Sequence, residues 1–294
     1  MNGPLLDDHS GEDVALSGET SFRIGGKARE YHTPSTVGEL RELLGELRRR
    51  RPFILGGSSN TLFPDGTFER PVISTAGLRG LDVGERSILS ECGVPLGTLI
   101  SRAIEHGLGG LEGFVGIPGT VGGAVVMNAG GSGSSFGDRV AKLGLISLES
   151  AELVEVPGAE IPWGYRGWNL EGYVVAWALL ELEPVSTLEL RRRAGSLFHR
   201  KRDTQPLAEP SAGCVFKNPP GHAAAALIDR LGLKGLRRGG AMVSRRHANF
   251  IVNPEGRARA EDVRQLIDEI RGRVEVEYGI RLETEIVMAD GGTE

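Results

Sequence analysis

Between residues 107 and 137 glycine recurs too often for any regular strand or helix pattern to run through. The heart of this stretch reads Gly113-Phe114-Val115-Gly116-Ile117-Pro118-Gly119-Thr120-Val121-Gly122-Gly123-Ala124-Val125-Val126-Met127-Asn128-Ala129-Gly130. A residue without Cβ lets backbone come close to a ligand or to another backbone, at a cost in chain entropy. Glycines three apart (116, 119 and 122) would line one side of a bend, and Pro118 would stiffen it. The expectation is a long, apolar, Gly-lined loop, better suited to a flat ring plus a diphosphate than to a lone phosphate. The plain alternative is a set of ordinary tight turns. Glycine supplies 44 of the 294 residues, roughly double its usual share of about 7%.

A second loop of the same kind leaves the short apolar run Pro52-Phe53-Ile54-Leu55. It reads Gly56-Gly57-Ser58-Ser59-Asn60-Thr61 and offers consecutive N–H groups with little side-chain obstruction. It is not a Walker A loop, since Gly25-Gly26-Lys27 is followed by Ala28 rather than Ser or Thr. No G-x-G-x-x-G joins a strand to a helix, which argues against a Rossmann dehydrogenase.

Length predicts more than one domain. Residues 1–14 read as a flexible N-terminus, 15–80 as a small α/β unit, 81–185 as a second unit and 186–294 as a third. Helices are expected where Leu40, Leu43, Leu44 and Leu47 repeat with helical period, over Leu96 to Ile104 with Gly107 closing the end, and over Leu188 to Arg202. Another covers His222 to Leu231, and another carries Val263, Leu266, Ile267 and Ile270. Strands are expected at 88–94, 142–148, 151–156, 173–182, 248–252 and 282–288.

The net charge of −5 argues against a general nucleic-acid binder. No run approaches the about 18 apolar residues of a membrane span. The polar, acidic start has no secretory pattern. The expectation is a soluble cytoplasmic protein, with a monomer favoured. Cys92 and Cys214 stand far apart in unlike contexts, so neither a disulfide framework nor a metal site is expected.

Chemistry concentrates at Ser211-Ala212-Gly213-Cys214-Val215-Phe216-Lys217-Asn218-Pro219. A thiol there is a usable acid, with an unperturbed pKa of about 8.5. A lone apolar-flanked Cys is more often inert core, and Arg166, in Tyr165-Arg166, taken alone is a surface cation. Alternation puts Glu283 and Glu285 on one face of a strand, where solvated carboxylates are the plain reading. His247-Ala248-Asn249 reads as a site loop or a strand entry.

Seven segments together resemble the UDP-N-acetylenolpyruvoylglucosamine reductase (MurB) family, in its shorter form. They are SFRIGGKA (21–28), ILGGSSNTLF (54–63), GLEGFVGIPGTVGGAVVMNAG (110–130), YRG (165–167), QPLAEPSAGCVFKNP (205–219), HANFIVN (247–253) and LETEI (282–286). The resemblance implies an α+β fold, with a two-domain FAD-binding scaffold of the vanillyl-alcohol oxidase type and a C-terminal α+β substrate-binding domain. It implies ping-pong reduction of the enolpyruvyl ether of UDP-N-acetylglucosamine to UDP-N-acetylmuramate, a step of peptidoglycan precursor synthesis. NADPH would supply hydride through FAD. By resemblance Leu55, Gly56, Gly57, Ser58, Ser59, Asn60 and Thr61 hold the FAD pyrophosphate. Gly116, Pro118, Gly119, Thr120, Gly122, Gly123 and Asn128 lie near its ring and ribityl chain. Tyr165, Lys217, Asn218, His247 and Asn249 take the sugar nucleotide, with Arg200 or Arg202 balancing its diphosphate. Arg166 and Glu285 stabilise the charge that develops on the substrate carboxylate, which requires a protonated Glu285.

Two positions depart from the family pattern. Cys214 stands where serine is usual, so the thiol becomes the expected proton donor to C2, with oxidation sensitivity as its cost. Gly167-Trp168 follows Arg166 where a small polar residue is commoner, which clouds the surroundings of the guanidinium. Two rivals stay open. An oxidase on the same scaffold would lack the 214–218 motif, and a non-catalytic binding module would be free to lose Arg166, Cys214 or Glu285.

Overall fold

The computed structural model describes residues 10–168 and 171–289. Among the described residues three sheets of four or five strands carry the fold, beside two two-stranded pairings. In the first, strand Gly11–Ala15 pairs antiparallel with Lys27–His32, which runs parallel to Val72–Ser74 and Thr67–Phe68; Phe53–Leu55 lies parallel to Val72–Ser74 on the far side. Phe53, Phe63 and Phe68 meet edge to face beneath it, with centroids 5.2–5.7 Å apart. The second sheet is antiparallel throughout, in the order Leu153–Pro157, Val140–Ser147, Tyr173–Glu181, Ser87–Glu91, Leu81–Val83. The third orders Ser211–Cys214, Phe250–Val252, Ala241–Val243 and Arg237–Arg238. The helix Ala260–Tyr278 buries Val263, Leu266, Ile267 and Ile270 in the core shared with that sheet.

Local sequence explains most of these elements. Val37–Leu47 starts at Thr36, whose hydroxyl accepts the N–H of Glu39, and buries Leu40, Leu44 and Leu47. Leu96–Glu105 ends where Gly107 takes φ +69°, the left-handed closure expected of it. Among the described residues no helix is long and apolar enough to cross a membrane.

Four expectations change. Gly11–Ala15 is a paired strand, so the flexible start expected over 1–14 does not extend through it; residues 1–9 lie outside the described residues. The glycine-rich segment is not loop throughout, because Val121–Val126 is a helix. Thr120 caps it, Gly122 N–H donates to the Cys92 carbonyl, and Val121, Ala124 and Val125 bury their side chains, outweighing two poor helix formers. The basic helix Thr187–Thr204, expected in the third unit, packs on the second, with Leu190 buried against Gly109 and the Lys201 ammonium on the carbonyls of Gly113 and Val115.

The last strand is shorter than expected, and its course is more informative. Lys217 N–H donates to Glu283 and Glu285 N–H to Val215, stitching this segment to the Cys214 loop. Two residues later it leaves that partner and runs parallel to Thr61–Leu62, with Val287 N–H donating to Asn60. One extended segment therefore ties the third unit to the Gly/Ser/Asn loop of the first.

The first and third units also share a helix cap. Arg259, at the N-cap of Ala260–Tyr278, has no side-chain oxygen to offer, and Asp65 accepts from Ala260 N–H (2.7 Å) and Glu261 N–H (3.2 Å) instead. A cap lost to alanine costs about 1 kcal/mol, with a range of roughly 0.5–2. Asp65→Ala is expected to lower the unfolding free energy by that amount, read by far-UV circular dichroism as a lower urea midpoint at unchanged m-value.

Candidate active site

The two glycine loops meet face to face. A Cβ on Gly57 would stand 2.6 Å from the Gly119 Cα, so the loops approach to backbone contact, and Ser59 Oγ donates to Pro118 O at 3.1 Å. Along this seam the N–H groups of Gly57, Ser58, Ser59, Asn60, Gly116, Gly119 and Thr120 donate to no protein acceptor among the described residues. Gly57, Ser59, Asn60, Gly116 and Gly119 are half-buried, and Ser58 and Thr120 are buried. Buried donors without partners are costly, and a diphosphate in the seam would satisfy several at once. The residues present therefore fit such a group. Leu55 turns its side chain into the core of the first unit, leaving only backbone toward the seam; Thr61 and Gly122 are buried. Ser21, a residue the sequence reading did not single out, donates its hydroxyl to Ser58 O and Ser211 O, pinning this loop to the Cys214 strand.

Arg166 sits at the tip of a tight turn closed by Gly164 N–H to Gly167 O (2.9 Å), in a left-handed conformation at φ +60°. Trp168 steadies this turn, its indole N–H donating to Val125 O (3.0 Å) and its ring meeting Trp163 edge to face. The unusual Gly167-Trp168 pair therefore has a packing role. The guanidinium lies against Gly130, where a Cβ would come within 2.4 Å of Nη1. Arg166 Nε is 3.0 Å from Glu285 Oε1, yet its N–H is not aligned on that oxygen and makes no hydrogen bond. The contact is electrostatic, and the buried N–H stays available.

Burial raises the Glu285 carboxyl above its ordinary range, against the opposing pull of Arg166 and Lys217. Burial, helped by the Glu285 charge, pushes the Cys214 thiol up to about 12, while Arg166 and a hydrogen bond with Asn249 pull the other way. Cys214 is thus a thiol, not a thiolate, near neutrality. Because oxidation follows thiolate character, this burial counters the oxidation sensitivity expected of it. Glu283 and Glu285 do not share an environment: their side chains are 77% and 15% exposed.

Several asparagines expected to face ligands face the protein. Asn128 donates to Gly164 O and accepts from Gly137 N–H, both at 2.9 Å, so its amide holds the Arg166 turn rather than a ring. Asn249 clamps the Phe216 backbone from both sides, accepting its N–H at 3.0 Å and donating to its carbonyl at 2.8 Å. Asn218 Oδ1 accepts Ala224 N–H, opening the helix Ala224–Arg230. Tyr165, largely exposed, faces a surface cleft with Asn218, Pro219 and His222, and its ring carries the Arg166 guanidinium at 5.4 Å. Lys217 pairs loosely with Glu283 at 3.5 Å. His247 stacks edge-on to Phe250, and burial lowers its pKa. No hydrogen bond, ion pair or ring contact joins it to Tyr165, Lys217 or Asn218 among the described residues. Arg200 donates to Ser132, and Arg202 pairs with Asp203.

Residues 205–289 match the model of the UDP-N-acetylenolpyruvoylglucosamine reductase C-terminal domain, and 29–156 match that of an FAD binding domain. The UDP-N-acetylenolpyruvoylglucosamine reductase of Moorella thermoacetica is 43% identical over 275 residues, covering 92% of this chain and 90% of its own. The chain belongs to the UDP-N-acetylenolpyruvoylglucosamine reductase family. The reductase of Syntrophobacter fumaroxidans is 41% identical over 281 residues, covering 92% of this chain and 81% of its own. The crystal structure of the Thermus caldophilus member superposes with a TM-score of 0.80 at 35% identity, covering 95% of this chain and 98% of that one. The α+β architecture with an FAD-binding scaffold and a C-terminal family domain thus stands as expected.

Proposed function

We propose that this protein reduces the enolpyruvyl ether of UDP-N-acetylglucosamine to UDP-N-acetylmuramate at the expense of NADPH, with FAD seated along the seam between residues 56–61 and 116–123. Family membership supports the reaction class. The observation that carries the site is the convergence of Arg166, Glu285 and Cys214, from three remote segments, beside that seam.

FAD held by the backbone N–H groups of residues 56–61 and 116–120 would supply the hydride chemistry between NADPH and the vinyl carbon C3 of the substrate. The protein handles charge and protons. Hydride addition at C3 drives an electron pair toward C2 and the carboxylate, which becomes dianionic and enolate-like. Fixed donors aimed at such developing charge typically contribute about 3–4 kcal/mol each. Arg166 presents the N–H that Glu285 leaves unused, and the Glu285 carboxyl, whose neutral form burial favours, serves as the second donor when it carries its proton. Cys214 then gives its proton to C2, completing a C–H bond at each carbon, and the thiolate recovers a proton from solvent. The flanking groups orient the nucleotide: Lys217 has a partly exposed ammonium for phosphate, Asn218 keeps its amide N–H groups, and Tyr165 and His222 line the cleft. His247 lies in the other matched motif of this unit and keeps Nδ1 without a protein partner. Asn249 serves by holding the Cys214 loop.

A direct test is anaerobic titration of the purified holoprotein. NADPH should bleach the flavin band and the enolpyruvyl sugar should restore it, one equivalent for one equivalent. An oxidase would instead recolour only with oxygen, and a binding module would not recolour with the sugar.

A further inference from the structure

The Asn60 side chain is turned away from the seam whose backbone it helps to form. Its Nδ2 donates to the carbonyl of Glu285 at 2.9 Å and touches Met127 Sδ at 3.6 Å. The Asn60 backbone carbonyl accepts Val287 N–H at 2.8 Å. On the opposite side, Glu285 N–H donates to Val215 O at 2.7 Å. The residue bearing the acid is therefore held at both backbone ends, by the Cys214 loop at its N–H and by the Gly/Ser/Asn loop at its carbonyl. Among the described residues Asn60 is the one donor to that carbonyl. Asn60 N–H, meanwhile, remains unpaired and faces the seam.

We propose that Asn60 is a positioning residue for the Glu285 carboxyl, tying its placement to the loop that seats the cofactor diphosphate. The inference rests on the reaction proposed above and adds a division of labour within one residue. The backbone of Asn60 serves the cofactor and its side chain serves the acid. Loss of the side chain should then leave hydride uptake intact and impair only the half-reaction in which Glu285 acts.

The test compares Asn60→Ala with the parent holoenzyme. Flavin content per chain and the rate of flavin reduction by NADPH should stay within about twofold, and anaerobic reoxidation by the enolpyruvyl sugar should slow about tenfold or more. In a Glu285→Ala background, where no donor is left to position, the same change should cause no further slowing, because residues acting as a unit are non-additive. Independently of turnover, hydrogen exchange over 285–289 should quicken about tenfold in the holoenzyme, reporting the freed segment. Asn60→Ser, whose hydroxyl is too short to reach the Glu285 carbonyl, gives the same readouts if the alanine variant folds poorly. Equal slowing of both half-reactions, loss of flavin in step with activity, additive losses in the double variant, or unchanged exchange would each overturn the proposal. If the parent's reduced flavin is not reoxidised by the sugar at all, the reaction assigned above fails, while the exchange measurement still decides whether Asn60 holds the segment.

Discussion

Cys214→Ala holoenzyme is expected to be reduced by NADPH at the parent rate and to pass its electrons to the enolpyruvyl sugar about 10²–10⁴ times more slowly, the usual worth of a positioned general acid. The argument runs from burial to proton availability. An exposed thiol would be partly ionised near pH 8.5, and the ionised fraction would have no proton to give. Burial moves Cys214 to about 12, so the acid form is fully populated through the working pH range. The carbanion-like C2 is a far stronger base than a thiolate, so the transfer remains downhill despite the raised value. Cys214→Ser should recover most of the lost rate, since a hydroxyl also carries a proton, although its shorter bond reaches less far. Stopped-flow measurement of the two half-reactions separates this role from a packing defect. Equal reoxidation rates in Cys214→Ala and parent would remove the thiol from the mechanism.

Arg166, Cys214 and Glu285 stand out in the sequence only through the family resemblance. Taken alone they read as a surface cation, an inert core thiol and a solvated carboxylate, and their company is not legible at all. Arg166, Cys214 and Glu285 each sit in a short motif whose glycine or alternation pattern is local, and the structure brings Glu285 within reach of both others. The periodic helices Val37–Leu47 and Leu96–Glu105 were readable on their own, since one buried face writes itself at fixed spacing. Val121–Val126 was not, because Gly122 is set by the approach to Cys92, a contact between distant residues. The asparagines show the same limit most clearly. Asn60, Asn128, Asn218 and Asn249 all lie in motifs that read as ligand contacts, yet each spends side-chain hydrogen bonds on protein backbone. An amide near a site is equally suited to hold a ligand or a loop, and only the position of the nearest unsatisfied backbone group decides between them. Glu283 and Glu285 part company for a related reason. Both bond the Cys214 loop through their backbones, but Glu285 alone also meets Asn60 and Arg166, which come from distant segments.

Glu285 should impose an alkaline limb on reoxidation by the sugar, and its removal should be the second-largest loss. Burial favours the neutral carboxyl, so its folded pKa lies above the usual carboxylate range. Below that pKa the O–H is present and can donate to the growing negative charge on the substrate. As pH rises through it, the donor becomes an anion facing an anion, and the rate falls in proportion to the acid form remaining. Cys214, at about 12, contributes no limb at lower pH. Glu285→Ala removes the donor altogether and is expected to cost about 10²–10³ in the reoxidation rate, the range seen when one fixed donor to a developing oxyanion is lost. Glu285→Gln keeps an N–H donor that cannot ionise, so its loss should be smaller, about tenfold, and its pH profile should be flat where the parent declines. Arg166 favours the ionised carboxylate in the resting site, whereas an incoming substrate carboxylate takes the Arg166 N–H and adds a second negative charge. Substrate binding should therefore push the Glu285 pKa higher still, and the limb in the bound complex should lie at higher pH than in the free reduced enzyme. An alkaline limb that survives unchanged in Glu285→Gln would assign the titration to another group and take the acid role from Glu285.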